Sequence, residues 1–184
     1  ADYQPDILCL QELKCLEEKY PITELKEAGY SSIQSCQKTY NGVSIISKCA
    51  GENIDHNPVY IDEDEKRSIA ATYNDIRVIN FYVVNGQSID SDKYSYKLRW
   101  LKKAEKYIKE QLKVYPKLVV VGDFNIIPNE ADAYEYSPDN ILCSLKERKA
   151  LQQIFNLGLI DCFSPNDGES PYTWWDYRGG AFHR

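Results

Sequence analysis

The sequence predicts one α/β (α+β) domain over residues 1–184, in which short apolar strands alternate with helices. The first reason is size, since 184 residues that are 43% hydrophobic can form a single sizeable core. The second is the recurrence of short β-branched runs of strand length. The third is one long stretch, residues 92–114, whose apolar residues recur at helical spacing.

The first half of the chain is predicted to consist mostly of strands. Apolar and β-branched runs give the strands, and a stretch that ends at Gly29 gives a short helix. The dipeptide Asn74-Asp75 is a plausible hairpin turn between two of the runs. The predicted elements are strands at 6–10, 31–34, 42–47, 68–73 and 76–84, a helix at 22–28, and a polar, acidic loop at 53–67.

The second half begins with the helix at 92–114, which lies within a basic segment. Residues 93–117 contain nine Lys or Arg against two Glu. A solvated helix face would explain these charges, and the alternative is a phosphate-binding face with Lys97, Arg99 and Lys103. A strand at 118–121, an irregular acidic loop at 130–140 and a helix at 146–156 complete the predicted order.

The stretch LVVVGDFNIIPNE, residues 118–130, follows a buried strand with polar residues. If the extended backbone continues past Gly122, Asp123 and Asn125 point to one face while Phe124 points into the core. The alternative is a plain turn, because Gly, Asp, Asn and Pro all favour turns.

Composition narrows the classes of function. A net charge of -6 argues against holding nucleic acid by overall charge, and it leaves room for a local basic face or an acidic metal site. The six cysteines form no CxxC pair, which indicates reduced thiols in a cytoplasmic protein. No apolar stretch reaches the length of a membrane span, and the N-terminus does not have the pattern of a signal peptide.

The segment DILCLQE, residues 6–12, also ends an apolar strand in a carboxylate. Such a Glu is often only a surface charge. Two strands that each end in an acid are more suggestive, because Glu12 and Asp123 together could form an oxygen-ligand site for a hard cation such as Mg2+. With two His and no Cys pattern, this is the only metal site that the composition supports well.

Five motifs follow one another along nearly the whole chain: LCLQELK at 8–14, NGVSIISK at 41–48, INFYVVNGQ at 79–87, VVGDFNIIP at 120–128 and YTWWDYRGGAF at 172–182. In this order they resemble the exonuclease III family of apurinic/apyrimidinic endonucleases, within the endonuclease/exonuclease/phosphatase superfamily. The QE and GDFN motifs are shared across that superfamily. The WWDYR stretch and the Tyr82 segment point to its DNA-repair branch.

The resemblance implies a two-sheet α/β sandwich with helices on the outer faces and an active site at the edge between the sheets. The family has an Asn before the match to Glu12, and an Asp and an Asp-His pair near its C-terminal end. None of these is found here. We therefore expect the fold to be incomplete at its N- and C-termini, and we expect these residues alone to be inactive.

The resemblance also assigns roles to individual residues. Asp123 matches the Asp that orients and deprotonates the attacking water, Asn125 matches the Asn that positions the water and phosphate, and Tyr82 matches a Tyr against the scissile phosphate. Trp174 matches an aromatic that packs on the sugar of the substrate. Arg178 is a further candidate for substrate binding, with a structural pair to Asp176 as the alternative. The candidate metal ligands are Glu12, Asp123 and Asn125.

The predicted function is therefore Mg2+-dependent phosphodiester hydrolysis in DNA repair, with Mn2+ as an alternative metal. The expected substrate is double-stranded DNA with abasic sites or 3′ ends, and the expected protein is a cytoplasmic monomer without a membrane partner. Two alternatives stay open. One is a phosphodiesterase or phosphatase that acts on a lipid or small phosphate ester, and the other is a non-catalytic nucleic-acid-binding domain.

Overall fold

Two β-sheets pack face to face in the computed structural model, which describes residues 4–61, 65–133 and 137–162. The first sheet has strands β1 (Ile7–Gln11), β2 (Ser31–Ser35) and β3 (Val43–Ser47). Its order is β1-β3-β2, and both neighbours run antiparallel to β3. All five residues of β3 are buried, as expected for a central strand covered on both faces.

The second sheet contains β4 (Glu52–His56), β5 (Ser68–Tyr73), β6 (Ile76–Tyr82) and β7 (Leu118–Asp123), in that spatial order. The pairs β4–β5 and β5–β6 are antiparallel, and β6–β7 is parallel. The predicted hairpin between β5 and β6 is confirmed, with Asn74 in the left-handed conformation that such turns need.

Three α-helices accompany the sheets: α1 (Ile22–Glu27), α2 (Asp92–Leu112) and α3 (Leu145–Phe155). Short 3-10 turns occur at Glu17–Lys19 and Glu130–Asp132. Helix α2 is the crossover between the parallel strands β6 and β7, and it begins where the Ser91 side chain accepts a hydrogen bond from the amide of Tyr94. None of the helices in the described ranges is both long enough and apolar enough to cross a bilayer.

The apolar core has two main parts. Ile33, Val43 and Ile45 of the first sheet meet Ile69 and Ala71 of the second sheet. The larger part lies on the other face of the second sheet, where Phe81 and Ile79 pack against Trp100, Leu101 and Ile108 of α2, and where α3 adds Leu151 and Ile154. The rings of Phe81 and Trp100 meet edge to face, with centroids 5.2 Å apart.

This layered architecture confirms the predicted two-sheet α/β sandwich. One predicted element was wrong, since the predicted loop at 53–67 begins inside strand β4. The burial pattern explains the error. Four of the five β4 residues are exposed, and the strand is held mainly by its ladder with β5. Its sequence therefore lacks the alternation of apolar and polar residues by which a strand is recognised.

Candidate active site

The parallel pairing of β6 and β7 brings two of the predicted site residues to the same edge of the second sheet. Tyr82 and Asp123 are the last residues of their strands, and they stand opposite each other in the register. Strand β1 of the first sheet packs against β6 and β7, and Glu12 is the first residue after β1. The edge between the sheets therefore collects Glu12, Tyr82 and Asp123.

A buried amide fastens the two sheets just beneath this edge. The Asn80 Nδ2 donates to the carbonyl oxygens of Leu10 and Ser44, both at 2.9 Å, while its Oδ1 accepts a 2.7 Å hydrogen bond from Gln11 Nε2. Asn80 is fully buried in β6, whereas its partners belong to the first sheet. Because a buried amide is costly unless its groups are paired, this contact fixes the position of β1, and thus of Glu12, over β6.

Asp123 and Asn125 are joined by a turn, which corrects the extended arrangement expected from the sequence. Strand β7 ends at Asp123, and Asn125 has a left-handed φ of 49°. The Asn125 amide donates to Asp123 Oδ1 at 2.9 Å, and the Asn125 Nδ2 donates to Asp123 Oδ2 at 3.1 Å and to the Val83 carbonyl at 3.0 Å. Phe124 packs against the main core, as predicted.

Burial gives Asp123 the properties of a base. It raises the pKa of the Asp123 carboxyl above its ordinary value, and the negative charge of Glu12 adds to the rise. The amide donors of Asn125 and the charge of Lys97 oppose it. A carboxylate whose pKa is raised binds a proton more tightly than a solvated one, which suits a group that must take a proton from water.

Glu12 and Tyr82 form the other half of the edge. The pKa of Glu12 is lowered, chiefly by its ion pair with Lys14, and Glu12 is itself exposed. Burial raises the pKa of Tyr82 to about 12, with a further contribution from the Glu12 carboxylate. The phenol therefore stays protonated at neutral pH and can donate a hydrogen bond to an anion.

Two residues of this region, Arg67 and Asn85, were missed as site candidates in the sequence. The Arg67 guanidinium lies 4.9 Å from the centre of the Tyr82 ring and pairs with Glu65 at 2.5 Å. The exposed Asn85 donates from Nδ2 to Asn125 Oδ1 at 3.1 Å. Asn85 lies three residues after Tyr82 in the INFYVVNGQ motif, so its place just past a strand end was a usable signal. Arg67 follows an acidic stretch and gave no such signal.

The structure rules out the suggested place of Lys97 on a phosphate-binding face. Its side chain is fully buried and ion-paired with Glu147 at 2.5 Å. Of the other two candidates on that face, Lys103 donates to the Tyr60 carbonyl, and Arg99 lies 5.8 Å from the Tyr96 ring centre. The apolar stripe predicted for the helix is confirmed, because Leu101, Ala104 and Ile108 are all buried.

The carboxylate that is most accessible to a metal ion at this edge is that of Glu12. Within the described residues, no group of three His, Cys, Asp or Glu could hold a metal ion. Glu12 is exposed at the sheet edge, and its charge raises the pKa of nearby Asp123. A cation beside Glu12 would relieve that repulsion, and Mg2+ commonly binds through one or two carboxylates together with substrate oxygens. Glu12 and Asp123 therefore fit such an ion when a phosphate completes its ligands.

Trp174 and Arg178, the predicted substrate-binding residues, lie outside the described residues. Their roles, and those of Glu12, Asp123 and Asn125 as metal ligands, stay predictions.

The chain is similar to DNA nucleases over almost its whole length. Among solved structures, the 3′ phosphatase NExo from Neisseria bound to a product DNA hairpin is 40% identical, with a TM-score of 0.93, and the alignment covers 99% of this chain and 72% of that one. An AP endonuclease from Archaeoglobus fulgidus is 36% identical, with a TM-score of 0.87, over 97% of this chain and 71% of the other.

Curated relatives agree with these structures. Exodeoxyribonuclease III of Haemophilus influenzae is 27% identical over 98% of this chain and 73% of its own length. Recombination repair protein 1 of Drosophila melanogaster is 29% identical over 97% of this chain, which spans only 27% of that longer protein.

These relatives confirm the predicted resemblance to exonuclease III and AP endonucleases, and with it the class of enzyme, a hydrolase of phosphodiester bonds. They also support a dependence of the enzyme on a divalent metal ion, without identifying the metal. The sequence profile described as "Endonuclease/Exonuclease/phosphatase family" matches residues 1–184. The chain belongs to that family.

Proposed function

We propose that the protein hydrolyses phosphodiester bonds of DNA with Mg2+, cleaving 5′ of abasic sites and removing nucleotides from 3′ ends. The observation that carries this proposal is the Asp123–Asn125 turn beside Tyr82, at the edge where Glu12 of the first sheet meets the second sheet. This edge combines a base, hydrogen-bond donors for an anion and a carboxylate for a cation, which are the groups that phosphodiester hydrolysis needs.

In the proposed reaction, Asp123 orients a water and accepts its proton as the water attacks the phosphorus. The raised pKa of Asp123 favours that transfer. Asn125 stands beside this carboxylate, and its amide group contributes to holding the water and the phosphate in line. Tyr82 donates a hydrogen bond from its phenol to a phosphate oxygen, where negative charge increases during the attack. The bond between phosphorus and the 3′ oxygen breaks, and the departing 3′ oxygen takes up a proton from solvent.

Glu12 is the residue that would hold the divalent metal, with Asp123 and Asn125 as further candidate ligands. The metal would neutralise charge on the phosphate and act as a Lewis acid. Mg2+ is favoured because every available ligand atom is oxygen, and Mn2+ fits the same ligands. Arg67 adds a positive charge behind Tyr82, since its guanidinium lies against the ring.

The proposed substrate is duplex DNA. The most specific part of the proposal is that the protein acts on phosphates attached to 3′ oxygens. The Neisseria relatives are a 3′ phosphatase and a 3′-5′ exonuclease at 40% and 41% identity, and the Archaeoglobus relative is an AP endonuclease. We extend all three substrate types to this protein. One hydrolytic site can serve them, because each requires a water to attack a phosphate attached to a 3′ oxygen.

The test is a cleavage assay on the protein expressed from its complete reading frame. Three DNA duplexes carry an abasic site, a recessed 3′ end or a 3′ phosphate, and each is incubated with Mg2+, Mn2+ or a chelator. Asp123→Asn should remove most of the metal-dependent cleavage. The matched control is Asp75→Asn, since Asp75 is an exposed carboxylate at the β5–β6 turn and pairs with Lys117 on the surface. Asp75→Asn should cleave at the unaltered rate.

Two results would contradict the proposal. One is cleavage of phosphatidylinositol phosphates or inositol phosphates with no cleavage of any DNA duplex, which would favour the alternative substrate class. The other is metal-dependent binding of DNA without turnover by the unaltered protein, which would indicate a non-catalytic binding domain.

A further inference from the structure

A buried ion pair lies directly beneath the loops of the candidate active site. Lys97 of α2 and Glu147 of α3 are each 0% exposed, and Lys97 Nζ lies 2.5 Å from Glu147 Oε1. Two charges out of water need excellent geometry to offset the loss of hydration, and such pairs are weak evidence of stabilisation. Stability alone therefore does not explain why this buried position holds an ion pair and not two apolar side chains.

The remaining hydrogen bonds of Lys97 suggest that role. An ammonium group has three donors, and the other two go to the carbonyl oxygens of Asn125 at 2.6 Å and Asn85 at 3.0 Å. These carbonyls belong to the loops that follow β7 and β6. Side chains of the same two residues are joined above the ammonium, where Asn85 Nδ2 donates to Asn125 Oδ1 at 3.1 Å.

Glu147 is itself held firmly, which makes it a fixed anchor for the ammonium. Its Oε1 accepts from the Leu142 amide at 3.2 Å, and its Oε2 accepts from the Ser144 amide at 3.1 Å and from Ser144 Oγ at 2.5 Å. The bond from the Ser144 amide is one half of the capping box at the start of α3, and the Glu147 amide completes it by donating to Ser144 Oγ at 3.4 Å. The position of Lys97 is thus set from both helices, and the two loop carbonyls are set by Lys97.

We propose that Lys97, anchored by Glu147, is a positioning residue that holds Asn85 and Asn125 in the geometry needed for catalysis. Asn125 adopts a left-handed φ of 49°, and the bond from Lys97 to its carbonyl fixes the main chain of this turn. Its side chain in turn contacts Asp123. The catalytic part of this inference rests on the proposed function, while the positioning of Asn125 can be tested without turnover.

The decisive comparison is between Lys97→Met and the double variant Lys97→Met/Glu147→Gln. The single variant leaves a buried carboxylate without its cation, so we expect loss of both stability and activity. The double variant removes that charge, but its Gln NH2 faces one of the backbone N–H groups that Glu147 accepts from, so stability to urea should return in part. The methionine side chain donates no hydrogen bond to the Asn85 and Asn125 carbonyls, so kcat on the abasic duplex should stay about 10- to 100-fold low while KM changes little.

Arg77→Met is the matched control because it removes another buried cation, which lies on strand β6. Arg77 is 1% exposed and pairs with Asp55 at 2.5 Å. It opposes Leu118 in the β6–β7 register, whereas Tyr82 opposes Asp123, so the control lies about 16 Å along the strand from the site. At a temperature where the control is folded, its kcat should match that of the unaltered protein.

A second readout separates this inference from the proposed function. In protein labelled with 15N-asparagine, the side-chain amide signals of Asn125 should shift in both Lys97 variants and stay in place in Arg77→Met. Unshifted signals in the Lys97 variants, or a double variant with unaltered kcat, would overturn the positioning role. If the unaltered protein cleaves no DNA, the proposed function fails, and the amide spectrum alone decides whether Lys97 positions Asn125.

Discussion

Gly122, the glycine of the GDFN motif, occupies a position where we expect any side chain to damage the site. Its φ is +130°, a conformation that residues with a Cβ rarely adopt. An added Cβ would lie 1.9 Å from the carbonyl oxygen of Phe81 on the neighbouring strand β6. The parallel ladder pairs Gly122 with Phe81 next to the Tyr82–Asp123 pair, so a collision here reaches the site directly.

The expected cost of Gly122→Ala has two parts. The left-handed backbone costs an Ala about 1–2 kcal/mol. Real Cβ atoms essentially never approach another atom closer than 3.0 Å, so strands β6 and β7 must separate by roughly 1 Å, and forced repacking of this kind costs about 1–3 kcal/mol. The total of roughly 2–5 kcal/mol is a large fraction of the stability of a typical domain, and it should lower Tm by about 5–20 °C.

The assay measures urea unfolding and the cleavage rate for Gly122→Ala and Gly158→Ala. Gly158 is the matched control because its φ is +99° and an added Cβ would meet no atom of the described residues within 4 Å. Only the backbone cost of about 1–2 kcal/mol should appear there, with unaltered cleavage. Gly122→Ala should also lose cleavage at temperatures where it is folded. Equal unfolding free energies for the two variants would refute the proposed strand collision.

Three further predictions concern aromatic residues of the site. Tyr82→Phe should keep the fold and lower the cleavage rate about 10- to 100-fold, since a hydrogen bond to a charged group contributes about 1.5–3 kcal/mol. In the metal-free protein, the Tyr82 phenol should titrate with a pKa of about 12. The titration is followed by phenolate absorbance, with Tyr82→Phe as the reference. Glu12→Gln should lower the pKa of Tyr82 toward 10.0, because a nearby anion is removed. A raised pKa means that the folded state retains the proton longer, so the stability linked to Tyr82 should fall between about pH 10 and pH 12. Trp174→Ala should weaken abasic-DNA binding by about 1–3 kcal/mol without unfolding, because its predicted role is to pack on the sugar of the substrate.

Sequence periodicity predicted those elements whose stability comes from burial on a regular face. Helix α2 is the clearest case, because Leu101, Ala104 and Ile108 all lie in the core beside Trp100. The fully buried strands β3 and β5 were also predicted, since their runs are almost entirely apolar or β-branched. Strand β4 was missed because nothing in an exposed, polar strand distinguishes it from a loop until its partner is known.

The site was predicted in part. The sequence and its resemblance to a family selected Glu12, Tyr82 and Asp123, and the structure places all three at one edge. The predicted arrangement of Asn125 and Asp123 was wrong, because extended strand geometry was carried two residues past the end of β7, into a turn. Lys97 was misplaced for a related reason. A Lys on a basic helix resembles its solvated neighbours, and only the approach of Glu147 from α3 reveals that it is buried.

Backbone strain in the turn after β1 supports locating the site at this edge. Asn residues tolerate a positive φ in ordinary turns, but Glu and Lys do so rarely. Glu12 and Lys14, which form an ion pair, nevertheless have φ values of 58° and 51°. They are kept there by backbone hydrogen bonds from Leu13 to Gly42 at 3.2 Å and from Lys14 to Asn41 at 3.0 Å.

Conformations of this kind cost about 1–3 kcal/mol each and persist only where surrounding contacts fix them. The turn after β1 and the turn after β7 follow strands of different sheets, and each is held by hydrogen bonds. The first turn is held by its bonds to the loop before β3, and the second is held by Lys97 and the Val83 carbonyl. Their coincidence at one edge, with a carboxylate in each, is the pattern expected where a metal ion and a phosphate are to be held together.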